Sequence, residues 1–170
     1  MAKTSIDCVD CRSEETYPFD PDNFSYKVNG PGIRYEIDLC IQSGDIIWVN
    51  GPFRPGEMND DGVAKTKGFW SALAPGEMFL VDSIYSGAKA ITPNGRINRD
   101  QSMKSTARAR HETVNSKLKQ FAILRVEFRH GFHRHGQVFH SIAAICQIEM
   151  EVESPLFPVD YDDLRWDPYE

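Results

Sequence analysis

Long apolar segments and cysteine-rich clusters are both missing from this sequence. No apolar run approaches the roughly 18 residues that a membrane-spanning helix needs, and the first residues lack the apolar core of a signal peptide. The sequence therefore predicts an intracellular, soluble protein with no membrane partner. Four cysteines among 170 residues are too few for a disulfide framework, so we expect free thiols.

The length and composition predict one domain followed by an acidic segment. A chain of 170 residues with 41% hydrophobic and 26% charged residues is an ordinary globular protein that can bury a sizeable core. We place the domain at residues 1–152. Residues 153–170 are rich in Asp and Glu, and we expect them to form an extended, partly ordered tail.

Basic residues are concentrated in one part of an otherwise acidic chain. The net charge is −6, but residues 96–134 hold ten Lys or Arg against three acids, a local balance of +7. The remainder then carries −13. Such asymmetry indicates a phosphate-facing surface, or alternatively an ordinary solvated helix face.

The first predicted strand, residues 4–11, carries two acids, Asp7 and Asp10. Small and β-branched apolar residues surround them, and a loop rich in Pro and Asp follows. Successive side chains of a strand point to opposite faces, so residues three apart lie on different faces. Only one of the two acids can therefore join a common site.

The same strand contains a Cys-x-x-Cys pair, Cys8 and Cys11. No second such pair exists to complete a zinc site. The nearest candidate histidines match no standard ligand spacing; they are His130, His133, His135 and His140. Buried thiols are the favoured interpretation, and a structural zinc bound by both cysteines and two histidines is the alternative.

The next segments predict a hairpin and a helix. Residues 33–41 alternate apolar and polar side chains, the period of a half-buried strand, and residues 46–50 supply the return strand. With the first strand they predict an antiparallel unit of three. Asn59 can cap a helix that runs to about Leu73.

A buried strand is predicted next, at residues 78–81, because a short continuous apolar run is typical of a strand covered on both faces. It ends at Asp82, where a carboxylate is costly unless it is solvated at a cleft or binds something. Residues 88–92 predict one more short strand. This order of strands and helices predicts an α/β fold with a mixed sheet.

Residues from Gln101 onward predict a basic helix with one buried face. Apolar or semi-apolar residues recur at spacings of four and three: Ala107, His111, Val114, Leu118 and Phe121. The neighbouring stripe is polar: Arg108, Glu112, Asn115 and Lys119. Glu112 is thus either a functional carboxylate at the edge of the packed face or a surface partner of Arg108. A second amphipathic helix is predicted from about Gly136 to Glu151.

Asp7, Asp82 and Glu112 are the candidate metal-binding acids. Converging carboxylates raise one another's pKa, and divalent cations relieve that repulsion. Oxygen ligands without Cys or His favour Mg²⁺ or Mn²⁺. Two such ions about 3.5–4 Å apart activate water and stabilise the leaving oxygen in phosphodiester cleavage.

Four segments together are similar to motifs of one known family. Residues 5–10 (Ser-Ile-Asp-Cys-Val-Asp) resemble its first-acid strand and residues 27–49 its hairpin. Residues 79–85 (Phe-Leu-Val-Asp-Ser-Ile-Tyr) resemble its second-acid motif and residues 109–121 its third-acid helix. In this order they resemble the DDE-superfamily endonuclease domain of PIF/Harbinger-type transposases. The family's Gly-Thr is replaced by Cys8-Val9, and its Gly-Gly by Ser83-Ile84.

The resemblance implies an RNase H-like fold and metal-dependent phosphodiester hydrolysis or strand transfer. It implies the catalytic set Asp7, Asp82 and Glu112 with two Mg²⁺ or Mn²⁺ ions, and Asp60 is a rival second acid. DNA is the implied partner, and the basic residues expected to contact its phosphates without reading sequence are Lys104, Arg108, Arg110, Lys117 and Lys119.

The resemblance also implies nuclear localisation and a Myb-like DNA-binding partner protein. The amino-terminal DNA-binding helices of such transposases have no counterpart in this sequence, so recognition of transposon ends is not expected. The alternative function is a catalytically inactive transposase remnant that binds nucleic acid or protein.

Overall fold

The computed structural model describes residues 2–66, 76–81, 85, 87, 90–91 and 101–159, without the side chains of residues 2, 66, 91 and 101–104. The strands in these residues are β1 (Ala2–Arg12), β2 (Phe24–Ser25), β3 (Gly30–Cys40), β4 (Ile46–Phe53), β5 (Met78–Leu80) and β6 (Ala90–Ile91). The α-helices are α1 (Asp60–Thr66), α2 (Gln101–Gln120), α3 (Ala122–Arg125) and α4 (Phe132–Val152). A 3₁₀ turn, Pro21–Asn23, precedes β2.

β1 is the central strand of a mixed sheet in the order β4-β3-β1-β5-β6. β3 pairs antiparallel with both β1 and β4, whereas β5 runs parallel to β1 and to β6. β2 adds a two-residue antiparallel pairing at the start of β3. The predicted antiparallel unit of three strands and the predicted mixed α/β sheet are confirmed.

Helices α2, α3 and α4 cover one face of this sheet and form the main core with it. Apolar side chains of alternate positions on β1 and β3 pack there, including Val9, Ile37 and Leu39. The predicted buried face of α2 is confirmed, since its residues are buried except for half-buried Phe121. Because one face of α2 is buried against the sheet, most side chains of its other faces are at least partly exposed to solvent.

Helix α4 begins at Phe132, four residues before the predicted start at Gly136. Gly136 lies inside the helix, where a Cβ atom would come within 3.0 Å of Cδ of Pro52 on β4. The glycine thus permits close helix–strand packing rather than marking a helix end. Tyr35 of β3 fixes the same helix, stacking on Phe139 and sharing a 2.7 Å hydrogen bond with Nδ1 of His135.

The opposite face of β3 departs from the prediction. A half-buried strand should expose its polar side chains, yet the exposed fractions of Arg34, Glu36 and Asp38 are 6%, 0% and 0%. Helix α1 lies on this face, and its Ala64 joins a second apolar cluster with Ile6 of β1 and Phe79 of β5. β3 is therefore buried on both faces.

Helix α1 begins where the sequence predicted. Oδ1 of Asn59 accepts a 2.7 Å hydrogen bond from the backbone N–H of Gly62, which satisfies an amide of the first turn. The predicted continuation of this helix to Leu73 lies outside the described residues. The strands predicted at residues 78–81 and 88–92 correspond to β5 and β6.

The carboxyl-terminal residues that follow α4 return to the domain as far as they are described. Leu156 packs against the main core, and the carbonyl oxygen of Phe157 accepts hydrogen bonds from the guanidinium of Arg110. Among the described residues, no helix combines the length and the apolar character needed to cross a bilayer.

Candidate functional site

Asp7 lies on the central strand β1, on the face covered by α2. Its side chain is 30% exposed, and its Oδ1 accepts a 2.8 Å hydrogen bond from the backbone N–H of Cys8. Burial raises the pKa of Asp7 above its ordinary value, and the positive charge of Lys27 and the Cys8 amide oppose that rise. The charges of Asp60 and Glu112 raise the same pKa further, so both carboxylates lie within electrostatic reach of Asp7.

The residue that precedes Glu112, His111, fastens α2 to β1. Nε2 of His111 lies 2.9 Å from Oγ of Ser5, and both side chains are buried. Ser5 and Asp7 are two positions apart and share one face of β1. The contact between His111 and Ser5 therefore fixes where α2 lies along β1, next to Asp7. The Glu112 side chain stays exposed to solvent.

Lys27 is a site residue that the sequence did not single out. Its Nζ lies 2.6 Å from the carbonyl oxygen of Cys8, 2.9 Å from Oδ2 of Asp60 and 4.0 Å from Oδ1 of Asp7. The ammonium thus sits among three oxygens. Nothing in the pattern around Lys27 distinguishes it from an ordinary turn lysine, so only the fold shows this role.

Asp60, the rival second acid, belongs to a buried ion-pair network. Its Oδ1 lies 2.9 Å from Nη1 of Arg34, and its Oδ2 binds Lys27. Arg34 also forms two 2.8 Å hydrogen bonds to the two carboxylate oxygens of Asp10, which further accepts a hydrogen bond from Oγ of Ser25. Asp60 is therefore neutralised by two cations inside the fold.

Three of the four residues in the predicted polar stripe of α2 line an open cleft of about 370 Å³. Its walls are Glu112, Asn115, Ser116, Lys119, Gln120 and Arg125. Lys119 and Arg125 bring two positive charges to a surface that adjoins the Glu112 carboxylate. Hydroxyl, amide and cationic donors of this kind suit phosphate oxygens.

The other predicted phosphate-contacting residues have different environments. Arg110 is not on the surface, since it is only 2% exposed. Its guanidinium donates hydrogen bonds to the carbonyl oxygens of Ile41 and Phe157, and these bonds connect the segment after α4 to the domain. Lys117 is bound to Glu149 at 2.6 Å. Arg108 is exposed, and the side chain of Lys104 lies outside the described part.

The Cys-x-x-Cys pair does not form a shared site. Cys8 packs with its Sγ 3.6 Å from the hydroxyl of Tyr85, whereas Cys11 joins the main core on the opposite face of the sheet. Both thiols are buried. Two side chains on opposite faces of one strand cannot bind the same ion, so the zinc alternative is wrong in its pairing of Cys8 with Cys11.

Asp82, the predicted second acid, lies outside the described residues. Within the part of the chain that is described, no group of three or more Cys, His, Asp or Glu side chains is arranged to hold a metal. The predicted acidic set is represented there by Asp7 and Glu112. Comparison of the chain with protein-family models, with curated proteins and with solved structures gave no match in any of the three.

Two further buried carboxyls lie on β3 beyond Arg34. Oε1 of Glu36 and both carboxylate oxygens of Asp38 have no hydrogen-bond partner among the described residues. Burial raises the pKa of Glu36 to about 7, and it raises the pKa of Asp38 as well. The alternation of acids along β3 is visible in the sequence, where it predicts a half-buried strand with a solvent-facing side.

We expect the Glu36→Gln substitution to remove part of the pH dependence of folding stability. Because the folded pKa is raised from 4.5 to about 7, the protonated carboxyl favours the fold fully below pH 4.5, and that stabilisation is lost as the pH rises through 7. Gln imitates the protonated form, so the variant should exceed wild type by about 1–3 kcal/mol at pH 8 and approach it by pH 5. Urea unfolding at both pH values measures this.

Glu14→Gln, at an exposed position, is the matched control and should show no such difference. A Glu36→Gln variant that is less stable than wild type at pH 8 would contradict the assignment of Glu36 as a buried carboxyl whose pKa is raised by burial.

Proposed function

We propose that this chain is a divalent-metal-dependent nuclease domain of RNase H-like fold, derived from a transposase, that cleaves or transfers phosphodiester bonds in DNA. The observation that carries the proposal is the position of Asp7. It lies partly exposed on the central strand of the sheet, within electrostatic reach of Glu112 from the helix fastened beside it.

The sheet supports the fold assignment. An antiparallel unit of β1, β3 and β4 is extended on the other side of β1 by β5 and β6, both parallel to it. This order agrees with the RNase H-like sheet that the sequence motifs imply. Asp7 lies on the central strand of this sheet, and the resemblance assigns the first acid to the same strand.

The donor set fits a hard cation. Asp7 and Glu112 offer carboxylate oxygens. The pKa of Asp7 is raised mainly by burial and further by the charges of Asp60 and Glu112, and a bound cation would relieve both effects by favouring the ionised carboxylate. Ser5 of β1 pairs with Leu80 of β5 in parallel register. In the sequence, Asp7 lies two positions after Ser5, and Asp82 lies two positions after Leu80. We therefore retain Asp82 as the second acid and assign Asp60 to the ion-pair network.

Each group has a distinct task in this mechanism. Asp7, Asp82 and Glu112 would hold Mg²⁺ or Mn²⁺, which supplies an activated water and stabilisation of the leaving oxygen. The bond between His111 and Ser5 keeps Glu112 in register with Asp7. Lys119 and Arg125, in the cleft beside Glu112, would hold phosphate oxygens of the strand being cleaved.

Calorimetric titration of Mn²⁺ into the purified protein tests the proposed site. We expect saturable binding by wild type, and at least a tenfold weaker association for Asp7→Asn and for Asp82→Asn, because each loses a charged ligand. Asp22→Asn, an exposed acid on the 3₁₀ turn, is the control and should bind as wild type does. Equal isotherms for all four proteins, each shown to be folded by circular dichroism, would refute the proposal.

The second candidate function is a DNA-binding module without catalytic activity. The observation that favours it is the Lys27 ammonium, which already supplies a positive charge among the oxygens of Asp7, Asp60 and Cys8. A site neutralised in this way can persist without a metal. Such a module would bind DNA through the basic cleft and leave the strand intact.

DNA binding by the cleft should depend steeply on salt, because phosphate contacts release counterions. We expect Lys119→Gln to weaken association with a labelled duplex and to reduce the slope of log affinity against log salt by about one. Lys65→Gln, which removes a lysine paired with Asp61 on α1, is the control. An unchanged slope in Lys119→Gln would place the DNA elsewhere.

The two functions separate when Mn²⁺ is added to the same complex. Nicking that Asp7→Asn abolishes supports the nuclease, whereas retained binding with no nicking supports the inactive module.

A further inference from the structure

The backbone around Lys27 is held in place by buried groups. The N–H groups of Lys27 and Val28 lie 3.1 and 3.3 Å from Oγ of Ser25, which itself donates to the carboxylate of Asp10. Ser25 and Asp10 are both buried. The turn that carries Lys27 is thereby tied to the central strand of the sheet.

The Lys27 ammonium lies where a cation would be expected. It is surrounded by the carbonyl oxygen of Cys8, by Oδ2 of Asp60 and, at longer range, by Oδ1 of Asp7. The first two distances, 2.6 and 2.9 Å, are those of charge-assisted hydrogen bonds. A carbonyl and two carboxylates are also the ligands that a hard divalent ion prefers.

The exposure of these groups divides the site into two sides. The side chain of Asp60 is 8% exposed, whereas those of Asp7 and Lys27 are 30% and 38% exposed. Lys27 therefore neutralises the inner side of the site, next to Asp60. The outer side of Asp7 remains available to a second cation shared with Glu112.

The charges favour one divalent ion over two. Among the described groups around the Lys27 ammonium, Asp7, Asp10 and Asp60 carry three negative charges and Arg34 and Lys27 carry two positive charges, a net charge of −1. Glu112 adds one negative charge on the outer side, where Lys119 and Arg125 line the same cleft. One divalent ion already balances the charges of Asp7 and Glu112, whereas two would exceed them.

We propose that Lys27 takes the place of the second metal ion, so that the site binds one divalent cation and not two. This inference rests on the proposed nuclease site and revises the expected pair of ions. Lys27 would then be a fixed counterion that stabilises charge beside Asp7 whenever the single divalent ion is bound.

Manganese stoichiometry in the full chain tests the inference without an activity assay. We expect one Mn²⁺ per wild-type protein by calorimetry, checked by electron paramagnetic resonance of free Mn²⁺. Lys27→Met removes the ammonium but keeps an apolar stem of similar length, and it should bind two. Lys27→Arg keeps the positive charge, so it should bind one Mn²⁺. This variant shows whether the positive charge is what excludes the second ion.

The outcomes separate the inference from the function on which it rests. Two ions in wild type, or one ion in both wild type and Lys27→Met, would overturn the role of Lys27 and leave the nuclease proposal standing. No binding by folded wild type would overturn both. If Lys27→Met fails to fold, the wild-type count and the Lys27→Arg count still decide, since two ions in either contradicts the inference.

Discussion

A continuous series of ion pairs, buried except at the exposed Lys27, connects the central strand of this protein to its surroundings. Asp10 on β1 binds Arg34 on β3, Arg34 binds Asp60 at the start of α1, and Asp60 binds Lys27 in the turn before β3. Replacing one residue of this series by an uncharged one would leave a buried charge without a partner. That costs far more folding free energy than the loss of a surface ion pair. Asp7 adjoins this network, because the Lys27 ammonium lies 4.0 Å from its Oδ1.

The candidate site has two independently supported sides. The ion pairs fix the inner side, whereas α2 supplies the outer side through the buried contact between His111 and Ser5. Burial lowers the pKa of His111 to about 4, so the ring is neutral at physiological pH and can lie in an apolar interface. Glu112 can thus approach Asp7 although the two charges repel, because packing of the whole helix holds it there.

The sequence predicted elements better than it predicted polar partners. Repeating apolar positions placed the buried face of α2, and alternation placed the hairpin, because those patterns arise from burial along a single element. The same alternation predicts exposed acids on β3, because it does not reveal whether a second layer covers the polar side of the strand. Arg110 resembled any lysine or arginine of the basic helix, and its partners, Ile41 and Phe157, are distant in sequence. Lys27 was missed for the same reason: its role depends on contacts that only the tertiary fold creates.

We propose that Asp7 and Glu112 face one cation site although 105 positions separate them in the chain. Paramagnetic broadening of amide NMR signals by substoichiometric Mn²⁺ tests it most directly, since the effect reports proximity to the ion at each residue. The account predicts that the signals of Asp7, Cys8 and Glu112 broaden together, while that of Ile148, exposed on α4, stays sharp. Broadening confined to the acidic residues 153–170, with Asp7 and Glu112 unaffected, would contradict it.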